Sequence, residues 1–241
     1  MNAISQTATR RDMAATLGWL VDAGVDTLVS EHPRDWLAAP AAPVSVPARQ
    51  ATAVAARAAG DADRLAASCD SLAALAAAVA ELRAGALFAD GDAAAGVMLI
   101  GDAPSADDVA HGRVFAGSPG LLLDRMLASI GRDRGSAYLT NVTYWAGSDA
   151  PDAAAAAPLR ERQIQLARPR AILALGGAAT AALCDVTQGI NRVRGQWQVA
   201  RVGELSIPVL PTFHPAYLLS QPAHKALAWA DLCAFRARLD G

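Results

Sequence analysis

Cysteine is scarce in this chain: Cys69, Cys184 and Cys233 are its three thiols among 241 residues. Their odd number and wide spacing argue against a disulfide framework. No CxxC or CxH pair occurs, so no zinc or iron–sulfur site can be read directly from the sequence. We therefore expect buried structural thiols and no metal site.

An excess of positive charge and long apolar runs are also lacking. Lys225 is the single lysine, and the net charge is −2 at pH 7. Nucleic-acid binders commonly carry a basic excess, although a local basic face is sufficient for an enzyme that acts on DNA. No apolar run approaches the length of a membrane span, and the N-terminus lacks the apolar core of a secretory signal. We expect a cytoplasmic protein without a membrane partner.

The composition, with 53% hydrophobic and 18% charged residues, is that of a folded globular protein. Four regions differ in pattern. Residues 1–38 predict a helical segment, 39–48 a Pro/Ala-rich linker, 49–95 an Ala-rich helical region, and 96–241 an α/β domain.

Short apolar runs alternate with helical patterns throughout this last region. The predicted strands are 97–101, 137–142, 171–176 and 207–213, and the predicted helices are 118–131, 155–168, 176–184 and 222–238. Continuous apolar strands separated by helices indicate a parallel sheet covered on both faces. The expected fold is therefore a three-layer α/β/α domain with a central four-stranded, mainly parallel sheet, preceded by an N-terminal helical extension.

Chemistry-bearing residues follow the strands, where parallel sheets bind ligands. Asn141 offers an acceptor and a donor that match a pyrimidine edge, His214 can donate to an oxygen gaining charge, and Phe115 can stack on a flat ring. Each residue has an ordinary alternative, as a turn former, a structural histidine or a core aromatic. Their joint occurrence at successive strand ends favours a ligand site.

The motifs in this region resemble those of the family 4 (iron–sulfur) uracil-DNA glycosylases, and the resemblance covers most of the chain. The matching segments are GDAPSADDVAHGRVFAG (101–117), MLASIGRDR (126–134), YLTNV (138–142), PRAILALGGAA (169–179), INRVRGQW (190–197) and TFHPAYLLSQPAHKALAWADL (212–232).

The resemblance implies hydrolysis of the N-glycosidic bond of uracil, or of a related damaged base, after the base is flipped out of DNA. It assigns catalysis to His214 and Asp102, base binding to Phe115, Asn141, Ala103 and Ser105, and DNA contacts to Arg192, Arg194, Pro215, Tyr217, Leu218 and Lys225. Tyr217 or Leu218 would be the wedge that fills the gap left by the base. The implied partner is uracil-containing DNA, and residues 1–95 are a candidate arm for a repair-protein partner.

Several family features are missing. The two segments that carry the family's cluster cysteines, 81–92 and 143–163 here, contain none. We therefore expect no [4Fe–4S] cluster and no other cofactor, because the usual cluster needs four thiolates. Asp102 is one methylene shorter than the family's glutamate. Ser105 replaces a glycine, so we expect the turn to follow a shifted path.

Three alternatives stay open at this point. The chain could be a catalytically weakened or inactive relative that binds DNA or a repair partner. It could be an unrelated α/β hydrolase of small molecules, although no GxSxG elbow is present. The substrate base could also be hypoxanthine, xanthine or a methylated pyrimidine.

The first prediction concerns the cluster. Purified protein should contain no stoichiometric iron and show no broad visible absorption, because too few thiolates are available. An iron assay and an absorption spectrum measure this. About four irons per chain together with a visible band would contradict the expectation.

Overall fold

The computed structural model describes residues 61–147, 154–184 and 186–240. The predicted helical segment 1–38 and the linker 39–48 lie outside these residues. The predicted domain boundaries stay predictions.

The described part of the Ala-rich region is helical, as its composition predicts. Residues 61–68 form one helical stretch, and helix α1 spans Leu72–Leu82. Helix α1 begins after Ser71, whose side chain accepts a hydrogen bond from the backbone N–H of Ala74. This cap satisfies one of the donors that a helix N-terminus leaves without an internal partner.

Six strands form one mixed sheet. They are β1 (Asp90–Gly91), β2 (Val97–Gly101), β3 (Tyr138–Asn141), β4 (Ala171–Leu175), β5 (Gln198–Val202) and β6 (Leu205–Thr212), in the order β1-β3-β2-β4-β6-β5. Strands β3, β2, β4 and β6 are parallel, and β1 and β5 add antiparallel edges. The predicted α/β class with a parallel four-stranded centre is therefore confirmed. The edge strands escaped prediction because β1 has two residues and β5 is partly exposed.

Seven further helices follow α1 among the described residues. They are α2 (Ala106–His111), α3 (Gly117–Ser129), α4 (Ala157–Ala167), α5 (Gly177–Leu183), α6 (Ile190–Val193), α7 (Pro215–Ser220) and α8 (Lys225–Asp240). The four predicted helices correspond to α3, α4, α5 and α8. Helices α2, α6 and α7 were missed because four to six residues are too few to show a helical period. None of the helices described here is both long enough and apolar enough to cross a bilayer.

The sheet is buried on both faces. Leu99 and Leu173 belong to one apolar cluster with residues of α3, α7 and α8. Their neighbours Ile100 and Ile172 belong to a second cluster with residues of α4 and α5. Because side chains alternate across a strand, each central strand contributes to both clusters, and its continuous apolar sequence follows from this double burial.

A buried ion pair ties the end of β6 to helix α8. Asp231 has a side chain 2% exposed and accepts two bonds from the Arg194 guanidinium, whose side chain is 16% exposed. The Thr212 hydroxyl donates to the same carboxylate at 2.7 Å. The strand end that precedes His214 is thereby fixed to α8 and to the segment after α6.

The second prediction tests this pair. Asp231→Ala should lower the free energy of unfolding by about 3–5 kcal/mol, because it leaves the Arg194 charge buried without its partner. Asp240→Ala removes an exposed pair with Arg236 on the same helix and should cost about 0.5 kcal/mol or less. Urea unfolding measures both. Equal effects of the two substitutions would show that the inner pair does not stabilise the fold.

Candidate functional site

Three of the predicted residues meet at the carboxyl edge of the sheet. The ring centroids of Phe115 and His214 are 6.0 Å apart. A Cβ atom added to Gly101, at the end of β2, would lie 2.5 Å from Cζ of Phe115 and 2.6 Å from Oδ1 of Asn141. The aromatic ring and the amide therefore converge on Gly101, with the imidazole beside the ring.

Asn141 presents a donor that the protein leaves unused. The residue is 1% exposed, and its Nδ2 has no hydrogen-bond partner among the described residues. A buried amide N–H without a partner is costly. A ligand carbonyl oxygen placed there would supply the missing acceptor.

His214 forms the N-terminal cap of helix α7. Its Nδ1 accepts a hydrogen bond from the backbone N–H of Ala216 at 3.2 Å, and Pro215 occupies the first helical position, which suits its fixed φ. With Nδ1 as the acceptor, the neutral ring carries its proton on Nε2. Burial lowers the pKa of His214 below its usual value, and the charges of Asp102 and Asp108 oppose this shift. The imidazole is thus a neutral donor.

Asp102 lies beside His214 at the N-terminus of α5. Its Oδ1 accepts from the backbone N–H of Ala179 at 3.0 Å. Gly176, with a φ of +102°, allows this approach, since a Cβ there would lie 3.2 Å from both carboxylate oxygens and 3.3 Å from Cβ of His214. Burial raises the pKa of Asp102, against the His214 charge and the Ala179 bond.

The turn after β2 does not need glycine at position 105. Ser105 has a φ of −83°, which any residue adopts, so its backbone is not strained. The shifted path of the turn stays a prediction. Its hydroxyl accepts from the N–H of Asp108 at 3.2 Å, and Asp108 accepts from the N–H of Ser105 at 2.7 Å. This capping box starts α2. Ala103 is half-buried in the same turn.

Leu218 does not suit the role of wedge. It is 1% exposed and packs in the core cluster with residues of α3 and α8, so inserting it into DNA would empty the core. The next residue, Leu219, is 41% exposed and is the better candidate on this helix. The sequence does not distinguish the two leucines, because helix α7 was not predicted.

Tyr217 is held within the protein. Its hydroxyl lies 2.9 Å from Nδ1 of His224, and its ring centroid lies 5.1 Å from that of Phe213. Pro215 is buried at the start of α7. Both residues support the helix that follows His214.

The three basic residues predicted to contact phosphates differ in their exposure and in their partners within the fold. Arg194 donates from Nε and Nη2 to Asp231 and to the carbonyl of Leu227 inside the fold, and this makes it a weaker candidate for a phosphate contact than an exposed cation. Arg192 and Lys225 are exposed and stay candidates.

The residues present do not fit an iron–sulfur cluster. The two segments expected to carry its cysteines are joined instead by a 2.7 Å hydrogen bond from the N–H of Leu87 to the carbonyl of Tyr144. The rings of Phe88 and Tyr144 are stacked 5.3 Å apart. Within the described ranges, no group of three or more His, Cys, Asp or Glu side chains could hold a metal ion.

Sequence reasoning missed several contributors to the site. They are the close-approach glycines Gly101 and Gly176, the backbone-binding residues Asp108 and Arg134, and the exposed Leu219. A glycine directly after a buried strand is a signal for close approach. The roles of Asp108 and Arg134 depend on tertiary contacts that no local pattern reveals.

Much of the chain is similar in sequence to known proteins. Residues 88–233 match the family model of the uracil DNA glycosylase superfamily. A type-4 uracil-DNA glycosylase of Pyrobaculum aerophilum is 30% identical over 162 residues, covering 64% of this chain and 83% of that protein. Type-4 enzymes of Sulfurisphaera tokodaii and Archaeoglobus fulgidus are each 32% identical, over 166 residues (65% and 76%) and 147 residues (55% and 71%).

The third prediction tests the convergence on Gly101. Gly101→Ala should lower the free energy of unfolding by about 1–3 kcal/mol, because the added methyl overlaps the Phe115 ring and the Asn141 amide. Gly189→Ala is the matched control, since a Cβ there meets nothing within 4 Å. Urea unfolding compares the two. A Gly101→Ala variant as stable as the control would contradict the contact.

Proposed function

Because this chain belongs to the uracil-DNA glycosylase superfamily, we propose that it hydrolyses the N-glycosidic bond between uracil and deoxyribose in DNA. The observation that carries the proposal is the buried Nδ2 of Asn141, which has no hydrogen-bond partner among the described residues, close to Phe115 and a neutral His214. A planar base with a carbonyl edge is the ligand that such a set recognises. Similarity to type-4 uracil-DNA glycosylases supports uracil as that base.

Base flipping precedes the chemistry in this proposal. The target base must leave the stack, which costs a few kcal/mol and least for a mispaired base. Phe115 then stacks on the base, and Asn141 donates to a ring carbonyl. Because these residues are 4% and 1% exposed, the entering base must displace the side chains that cover them. Leu219, exposed on helix α7, fills the gap left in the duplex.

Bond cleavage leaves its electron pair on the uracil ring. His214 donates from Nε2 to the oxygen that gains charge, and a neutral donor suits this task because it keeps its proton as the anion forms. Asp102, beside the imidazole, orients the attacking water or stabilises positive charge on the sugar. Arg192 and Lys225 bind phosphates.

We also propose that the protein is cytoplasmic and that residues 1–95 bind a repair-protein partner.

The fourth prediction is the direct test of function. The protein should release free uracil from an oligonucleotide that contains one uracil. His214→Ala should slow single-turnover release by about 10²–10³, whereas the exposed His111→Ala should not. Product analysis by chromatography measures both, and hypoxanthine or xanthine oligonucleotides test the other bases. No release of any base, with DNA binding that weakens as salt rises, would instead support the non-catalytic alternative.

The fifth prediction is the pH dependence of release. Protonation of Nδ1 would break its hydrogen bond from the N–H of Ala216 and disturb the position of the ring. Because burial lowers the pKa of His214, the rate should stay level from pH 8 to about 6.5, the usual histidine value, and fall only below it. Asp102→Asn removes a negative neighbour that raises the pKa of His214, so the acid limb of this slower variant should move to lower pH. Single-turnover rates across pH measure this. A rate that already falls between pH 8 and 7 would contradict an imidazole that is neutral at pH 7.

A further inference from the structure

Phe115 has an unusual backbone. Its φ is +52°, and it is one of two non-glycine residues with positive φ in the described part of the chain. Aromatic residues rarely adopt the left-handed region, and such a conformation persists only where the surroundings hold it. The contacts around Phe115 therefore decide where its ring points.

Arg134 binds this segment through two consecutive carbonyl groups. Its Nη2 donates to the carbonyl oxygen of Phe115 at 2.5 Å, and its Nη1 donates to that of Val114 at 2.9 Å. The guanidinium is fixed in turn by Asp124 and Asp90, each at 2.7 Å. The side chain is 13% exposed, so these bonds are largely shielded from water.

Asp108 holds the other side of the same residue. Its Oδ1 accepts from the backbone N–H of Ala116 at 2.5 Å. The peptide unit after Phe115 is thus bound at its carbonyl by Arg134 and at its N–H by Asp108. These two bonds hold the peptide unit after Phe115, and the bond from Arg134 to the Val114 carbonyl holds the unit before it. Because both flanking units are held, the φ and ψ of Phe115 are held as well.

We propose that Arg134 is a positioning residue that holds Phe115 in its left-handed conformation and thereby aims the ring at the base. The role rests on the proposed function, and Arg134 itself does not touch the substrate. The planar fork of arginine is needed, because a lysine ammonium cannot span two carbonyls and two carboxylates in this arrangement.

Arg113 is the matched control. It also pairs with Asp90, at 2.7 Å, but its side chain is 50% exposed. Arg113→Lys therefore perturbs the same carboxylate while leaving the Arg134 bonds to the two carbonyls in place.

The test is a double-mutant cycle on the affinity for free uracil. Loss of base stacking by Phe115→Ala should weaken binding by about tenfold to a hundredfold. In the wild-type background, Arg134→Lys should weaken uracil binding by most of the loss that Phe115→Ala causes. In the Phe115→Ala background, the same Arg134→Lys substitution should weaken uracil binding much less. Arg113→Lys should leave it unchanged. A merely structural role for Arg134 predicts lower thermal stability with unchanged affinity in the folded protein, and that result would overturn the proposal.

NMR spectra test the positioning role of Arg134 independently of whether the protein is a glycosylase. The ring of Phe115 lies near that of His214, so Arg134→Lys should shift the His214 ring resonances in NMR spectra, whether or not the protein cleaves DNA. Unshifted resonances would also overturn the positioning role. If Arg134→Lys does not fold, Asp124→Asn loosens the guanidinium and serves in both measurements.

Discussion

The missing side chain at Gly101 is the constraint on which the site depends. Strand β2 must end there without a Cβ, since one would overlap both Phe115 and Asn141. The parallel sheet brings the end of β3 next to it, with Gly101 paired to Asn141 in register. The strand register thus places the Asn141 amide beside Gly101. The segment that follows Gly101 brings the Phe115 ring to the same side of this glycine. The strand ends therefore position the site: Asn141 ends β3, and Phe115 and His214 lie in the segments that follow β2 and β6.

The central strands and three of the site residues could be predicted from the sequence. Continuous apolar runs indicate buried parallel strands, and ligand-binding residues commonly follow the carboxyl ends of such strands. The predicted strands agree with β2, β3, β4 and β6, and Phe115, Asn141 and His214 meet as expected. What could not be predicted depends on tertiary contacts. The buried position of Leu218 follows from a short helix without a readable period, and the commitment of Arg194 follows from an aspartate 37 residues away.

Aromatic packing joins the two segments in which the resemblance would place cluster cysteines. Phe88 of the first segment stacks on Tyr144 of the second, and Tyr144 also packs with residues of helix α1. An aromatic contact is weaker than a set of metal–thiolate bonds, but it needs no metal. It also stabilises the segment that follows β3 without involving Phe115 or His214.

The central claim is that Phe115, Asn141 and His214 receive one planar base. A structure of the protein with bound uracil tests this most directly. The account predicts that the uracil ring stacks on Phe115, that a ring carbonyl accepts from Nδ2 of Asn141, and that a ring oxygen lies within hydrogen-bonding distance of Nε2 of His214. Uracil bound elsewhere, with Phe115 and Asn141 still covered, would contradict it.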